Sequence, residues 1–166
     1  MKKCIIPGSY DPVTRGHLEL FKSAAKIFDT VYPVILCNSE KRNGMFTPDE
    51  RLDIMNVACE KLKSEGIINV VPIVYEGLTT DAALELGADF IVKGVRNSTD
   101  FTYEFDLAEI SRHFCPKLQT VFIPSLPEIA YISSTYVREL IKYGRFDSPD
   151  FADGTVDAVK RILGEH

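Results

Sequence analysis

The chain has 166 residues, 45% of them hydrophobic and 26% charged, with a formal net charge of −5. That length suits one domain, residues 1–166, with a full core. Scattered Lys and Arg in an acidic chain argue against electrostatic capture of nucleic acid, which needs a concentrated basic face, yet they leave room for a basic pocket around a small anion.

Short β-rich runs alternate with longer helical patterns. The chain opens on Met1-Lys2-Lys3, and the apolar run that follows is too short for a secretory signal. Residues 3–7 read instead as a first strand. Leu18, Phe21, Ala24, Ala25 and Phe28 then recur at helical spacing after Gly16-His17. A second strand is expected over 31–38. The next helix is marked by Thr47 as N-cap, Pro48 at the first helical position and Glu50 completing a capping box, and it runs to about residue 65 before Gly66. A third strand over 69–75 precedes a short helix over 80–86, which stops at Gly87. A fourth strand over 90–93 leads to a helix over 100–114, which stops before Pro116. A fifth strand over 120–124 leads to a helix that opens at Ser133 or Ser134 and ends near Gly144. A turn-rich stretch, 146–154, precedes an amphipathic helix over 156–163.

The strands are continuous apolar runs, as in parallel strands buried on both faces. Their alternation with helices predicts an α/β fold, a single Rossmann-like doubly wound domain with a five-stranded parallel sheet flanked by helices. Ligands bind such sheets at the carboxyl ends of the strands, which selects the loops 7–17, 38–46, 76–80, 93–100 and 124–135. No stretch reaches the ~18 apolar residues of a membrane span, so the sequence predicts a cytoplasmic protein with no membrane partner. Cys4, Cys37, Cys59 and Cys115 lack metal-type spacing and read as reduced, mostly buried thiols.

Two segments carry the chemistry. The first is Pro7-Gly8-Ser9-Tyr10-Asp11-Pro12-Val13-Thr14-Arg15-Gly16-His17, and the second is Ile132-Ser133-Ser134-Thr135-Tyr136-Val137-Arg138. Each follows an apolar run and opens a helix, where free backbone N–H groups favour phosphate. His17 in a first helical turn can add an imidazole donor. Taken alone, the first segment is also compatible with a helix-opening turn around a half-buried histidine, and the second with an ordinary Ser/Thr N-cap. Lys41 follows the second strand in a loop that could simply be solvated. Lys93 and Arg96 directly follow the fourth strand. Arg112 and Arg138 could serve a ligand, cap a helix or form a surface ion pair, and His113 suits a helix C-terminus.

The first segment resembles the T/H-x-G-H signature of the nucleotidylyltransferase superfamily, here Thr14-Arg15-Gly16-His17, and Ile132-Ser133-Ser134-Thr135 resembles its second signature. Val92-Lys93-Gly94-Val95-Arg96 followed by Asp100-Phe101-Thr102-Tyr103-Glu104, with Lys41 ahead of Met45-Phe46-Thr47, is similar to the bacterial-type phosphopantetheine adenylyltransferases over essentially the whole chain. The resemblance implies transfer of the adenylyl group of ATP to 4′-phosphopantetheine, giving dephospho-coenzyme A and pyrophosphate, with magnesium (Mg2+) carried by ATP and no metal held by protein side chains. It implies catalytic roles for His17, Lys41 and Arg96. ATP contacts are implied for Ser9, Tyr10, His17, Gly94, Val95, Arg96 and Glu104. The same holds along the later segment for Ile129, Ala130, Tyr131, Ile132, Ser133, Ser134 and Thr135. Contacts to phosphopantetheine are implied for Ser9, Lys41, Thr79 and Lys93. It further implies a homohexamer, with coenzyme A as a possible feedback ligand.

The chain departs from the family pattern in places. Ser9 stands where threonine is commoner, and Lys93 where arginine is, trading a planar two-pronged clamp for a point charge. Gly44 reads as a one-residue insertion. Thr79, with Thr80 and Asp81, makes the expected pantetheine wall more polar, and the tail lacks the usual Val-Pro. A nicotinamide or nicotinate mononucleotide adenylyltransferase shares both end signatures. A non-catalytic nucleotide sensor is the alternative of another class, although His17 is superfluous for binding alone.

Overall fold

The computed structural model describes residues 1–37 and 44–164. Five strands, β1 (Lys3–Gly8), β2 (Thr30–Cys37), β3 (Ile73–Glu76), β4 (Phe90–Val95) and β5 (Gln119–Pro124), form one parallel sheet in the order β3-β2-β1-β4-β5. Parallel neighbours need crossovers, and helices supply them: α1 (Arg15–Ala25), α2 (Pro48–Ser64), α3 (Thr79–Leu86) and α4 (Ser98–Phe114). Two more, α5 (Ser134–Lys142) and α6 (Val156–Leu163), follow the last strand. Winding runs outward from β1 to β3, then returns to β4 beside β1 and continues the other way. The reversal therefore lies between β1 and β4, where a doubly wound sheet opens a crevice at its carboxyl edge.

The larger core lies on one face, where Phe21 of α1, Ile54 and Met55 of α2, Val137 of α5 and Val159 of α6 pack on Cys4, Ile6 and Ile35. The other face has a thinner core built on Ile5, Val34, Ile91, Ala82 and Ala83. No residue of the 17-residue helix α4 is buried, and Phe101, Tyr103, Phe105, Ile110 and Phe114 are exposed along it.

The expected elements are present with shifted ends. Strand β3 begins at Ile73 rather than residue 69, because Pro72 has no N–H to give the ladder; upstream, Val70 forms only an isolated bridge with Val31. Helix α4 starts at Ser98, since the Asn97 side chain accepts the Asp100 N–H and caps it two residues earlier than expected. A short 3-10 turn, Pro127–Ile129, was not anticipated. All four cysteines are free; Cys4 and Cys59 are buried, while Cys37 and Cys115 are half-buried. Among the described residues no helix is long and apolar enough to cross a membrane.

Candidate active site

After β1 the backbone turns sharply. Tyr10, a bulky residue, sits at φ 46°, in the left-handed region that costs a non-glycine residue about 1–3 kcal/mol. Its surroundings hold it there: the hydroxyl donates to the Ile6 carbonyl at 2.7 Å, and the ring packs edge-on against His17 and Phe21. The turn drops the Asp11 carboxylate inward. It accepts the Met45 and Phe46 N–H groups, each at 2.9 Å, and pairs with Arg51 at 3.3 Å. Gly44 fits this arrangement, because a Cβ there would collide with the Arg51 guanidinium and lie 3.1 Å from Asp11 Oδ2. Gly44 thus packs on the Asp11–Arg51 pair. Lys41 lies outside the described residues.

His17 occupies the third position of α1, where a capping box normally places Glu or Gln. Its Nδ1 accepts the Thr14 N–H at 3.0 Å, with the Thr14 hydroxyl 3.1 Å away. That bond assigns the neutral ring's proton to Nε2. Burial, with the Arg96 cation nearby, pushes the imidazole down to about 4. At neutral pH His17 is therefore an uncharged donor, suited to an oxyanion and unsuited to giving up a proton.

Across the crevice, β4 runs into α4. Lys93 Nζ lies 3.1 Å from Glu104 Oε2. The pair is not aligned as a hydrogen bond, so Glu104 Oε2 is buried without a hydrogen-bonding partner. Arg96 presents Nε and Nη2 to the two Asp100 oxygens at 3.3 Å, and its backbone N–H donates to Asp100 as well. Burial pushes the Asp100 carboxyl up, but these hydrogen bonds and the Arg96 and Lys93 charges outweigh it and hold it below its usual range. Gly94 lies between the two cations; a Cβ there would come within 3.1 Å of Leu20 on α1. A side chain there would press on the end of the Leu20 side chain, so the two walls pack closely at this glycine.

The third wall is the start of α5. Ser133 caps it by accepting the Tyr136 N–H, and the Ser134 hydroxyl donates to the Pro12 carbonyl at 2.8 Å. Arg138 donates to the Asp11 carbonyl at 2.6 Å and to Thr135 Oγ1 at 3.1 Å. The residue read from the sequence as ambiguous thus pins the second signature to the first. Arg112 pairs with Glu109 on the surface of α4.

These walls enclose a cleft of ≈ 250 Å³. Tyr10, His17, Lys93, Gly94, Arg96 and Glu104 line it, as do Ile129, Ile132, Ser133 and Ser134. Lys93 and Glu104 also line a second cavity of ≈ 240 Å³, with Leu78, Thr79, Leu107 and Phe114. A third recess of ≈ 200 Å³, between Lys26 and Leu126, shares Gly16, Leu20, Ser125 and Ile129 with the first. Ser9 is exposed, and its carbonyl accepts from Arg51. Val95, Ala130, Tyr131 and Thr135 flank the cleft without lining it, and the Tyr131 hydroxyl bonds Asp150. Thr14, Asp100 and Ser125 also line the cleft, although sequence reasoning gave them no role. Asp100, three residues after the Asn97 cap, was the detectable one. Among the described residues no three His, Cys, Asp or Glu side chains cluster as a metal site, and both cleft carboxylates of α4 are already paired with cations. The cleft is thus built to receive oxyanions, with an uncharged imidazole donor, two cations and a helix start converging on it.

Comparison with known proteins agrees with this geometry. Residues 5–140 match the Cytidylyltransferase-like family. The phosphopantetheine adenylyltransferase of Lactobacillus helveticus (strain DPC 4571) is 39% identical over 164 residues, 99% of this chain and 97% of its own. That of Lactobacillus gasseri is 42% identical over 144 residues, 87% of this chain and 84% of its own. That of Corynebacterium diphtheriae is 39% identical, covering 87% of each chain. A crystal structure of the lipopolysaccharide core biosynthesis protein from Thermoplasma volcanium GSS1 superposes with a TM-score of 0.56 at 21% identity, over 76% of this chain and 98% of that one, a likeness of fold. With both signatures around one cleft and such identity along nearly its whole length, the chain belongs to the phosphopantetheine adenylyltransferase family.

Proposed function

We propose that the protein transfers the adenylyl group of ATP to 4′-phosphopantetheine, releasing pyrophosphate and dephospho-coenzyme A. The observation that carries this reading is the pair of cavities joined at Lys93 and Glu104. One is lined by polar and apolar groups in about equal measure and is framed by helix starts; the other is walled by Leu78, Leu107, Ile110 and Phe114 and suits a pantetheine arm. Thr79 and Thr80 add polar atoms to that arm's wall.

In this reading MgATP, whose metal ion belongs to the substrate, lays its phosphates along His17, Gly94, Arg96 and the start of α5. The base enters the recess beside Leu126 and Ile129. The acceptor's phosphate lies at Lys93, and Lys41 joins it by the family resemblance. An oxygen of that phosphate attacks the α-phosphorus of ATP, a new P–O bond forms, and the bond to the β-phosphate oxygen breaks. The acceptor is already ionised, so no general base is needed. The protein's task is to align two polyanions and to neutralise charge that grows in the transition state. Lys93 and Arg96 must leave, or share, Glu104 and Asp100 to do so. Incubation with ATP, magnesium and 4′-phosphopantetheine should yield dephospho-coenzyme A and pyrophosphate in equal amounts. An adenylylated protein accumulating when the acceptor is withheld would contradict direct transfer.

The assembly in this reading is a homohexamer in the cytoplasm, with the apolar side of α4 covered by other copies. Coenzyme A, which carries the same pantetheine arm, would compete for the acceptor cavity and act as a feedback ligand.

A further inference from the structure

We infer that Asp150 is a positioning residue for the nucleotide side of the cleft, clamping the start of α1 to the segment that carries Tyr131. This rests on the reading of that cleft as the ATP site. The stretch between α5 and α6 was legible in the sequence only as turn-rich. In the structure it straps the first signature. The Arg15 N–H donates to the Asp150 carbonyl at 3.2 Å, and Phe151 bridges Thr14 in antiparallel fashion. Thr14 is the residue whose N–H occupies His17 Nδ1.

The Asp150 side chain reaches the other wall. Its residue is only 4% exposed. Oδ1 accepts the Tyr131 hydroxyl at 2.8 Å, and Oδ2 accepts the Ser148 hydroxyl at 3.0 Å. Among the described residues no Lys, Arg or His pairs with it within salt-bridge distance. A buried carboxylate without a cation depends on hydrogen-bond donors to offset its lost hydration, so the Tyr131 hydroxyl is strongly favoured there. Tyr131 in turn gains a fixed position. Its ring is largely exposed and otherwise meets Tyr136 edge-on, with ring centroids 6.0 Å apart. Tyr131 lies between Ile129 and Ile132, both of which line the cleft. One aspartate therefore joins both nucleotide walls, its backbone on α1 and its carboxylate on the approach to α5. The acceptor cavity lies beyond Lys93 and Glu104 and touches neither.

The test compares wild-type protein with Tyr131→Phe, Asp150→Ala, Asp150→Asn and the Tyr131→Phe/Asp150→Ala double variant. ATP affinity is read by calorimetry, and KM is measured for each substrate. Tyr131→Phe and Asp150→Ala should each weaken ATP binding by about 3- to 10-fold, the scale of one ordinary net hydrogen bond, with KM for 4′-phosphopantetheine unchanged. Asp150→Asn keeps an acceptor oxygen and should recover most of the loss. The double variant should be no worse than the weaker single variant, because both remove one interaction. Tyr131→Phe keeps the exposed ring, so it carries the test even if Asp150→Ala fails to fold. Wild-type ATP affinity in Tyr131→Phe, or equal losses for both substrates, would overturn the clamp alone. Wild-type protein with no affinity for ATP would remove the nucleotide reading itself.

Discussion

A histidine whose Nδ1 already holds a backbone N–H has one polar atom left to offer, and for His17 that atom is Nε2. Replacing it with alanine should leave most ATP affinity intact and lower kcat by about 10²–10³, the scale of one lost transition-state donor. An unchanged kcat would remove its catalytic role. The same burial makes His17 a marker of pH. Its folded pKa of about 4 lies below the ordinary histidine value of 6.5, so the unfolded chain takes up a proton that the folded chain refuses. Its contribution to stability is therefore complete above pH 6.5, declines as pH falls toward about 4, and is lost below that. NMR titration of the free protein should find this ring titrating near pH 4, and bound phosphates should raise the value. Lys93→Ala should raise KM for 4′-phosphopantetheine and slow transfer. If only the ATP term moved, the acceptor phosphate would have to be placed elsewhere.

Elements were legible where local chemistry decides them. Thr47, Pro48 and Glu50 announce α2, and in the structure Thr47 accepts the Glu50 N–H while Glu50 accepts the Thr47 N–H. The start of β3 was misjudged because a hydrophobic run hides the missing donor of Pro72. The pairings Lys93–Glu104, Asp150–Tyr131 and Asp11–Arg138 were not legible at all. Asp11–Arg138 joins residues 127 apart through the fold of the whole chain, whereas Lys93–Glu104 and Asp150–Tyr131 depend on how one segment folds back on its near neighbour, which no local pattern announces. Helix α4 was legible only as a helix over 100–114, yet its exposed residues include five large hydrophobics. The homohexamer proposed above would cover such a face. Tyr103→Glu should therefore shift the sedimenting species from six chains toward smaller ones. A wild-type protein that sediments as a monomer at micromolar concentration would contradict the hexamer.

At the scale of the whole molecule, an acidic chain concentrates its useful cations at one sheet edge. The reversal of winding between β1 and β4 opens that edge, and the core on the α1 and α2 side holds it in shape. Phe21, fully buried and packed edge-on against Tyr10, is part of that support. Phe21→Ala should cost about 3–5 kcal/mol of unfolding free energy, measured by denaturant titration. The α/β class and the doubly wound sheet followed from the alternation of apolar runs and helices. The second cavity did not, because its walls come from four separate segments. The central claim is that this edge joins ATP to one particular phosphorylated acceptor. The most direct measurement is pyrophosphate release from MgATP with 4′-phosphopantetheine and, separately, with nicotinamide mononucleotide. Release with the first and none with the second is the predicted result; turnover of nicotinamide mononucleotide without turnover of 4′-phosphopantetheine would contradict the account.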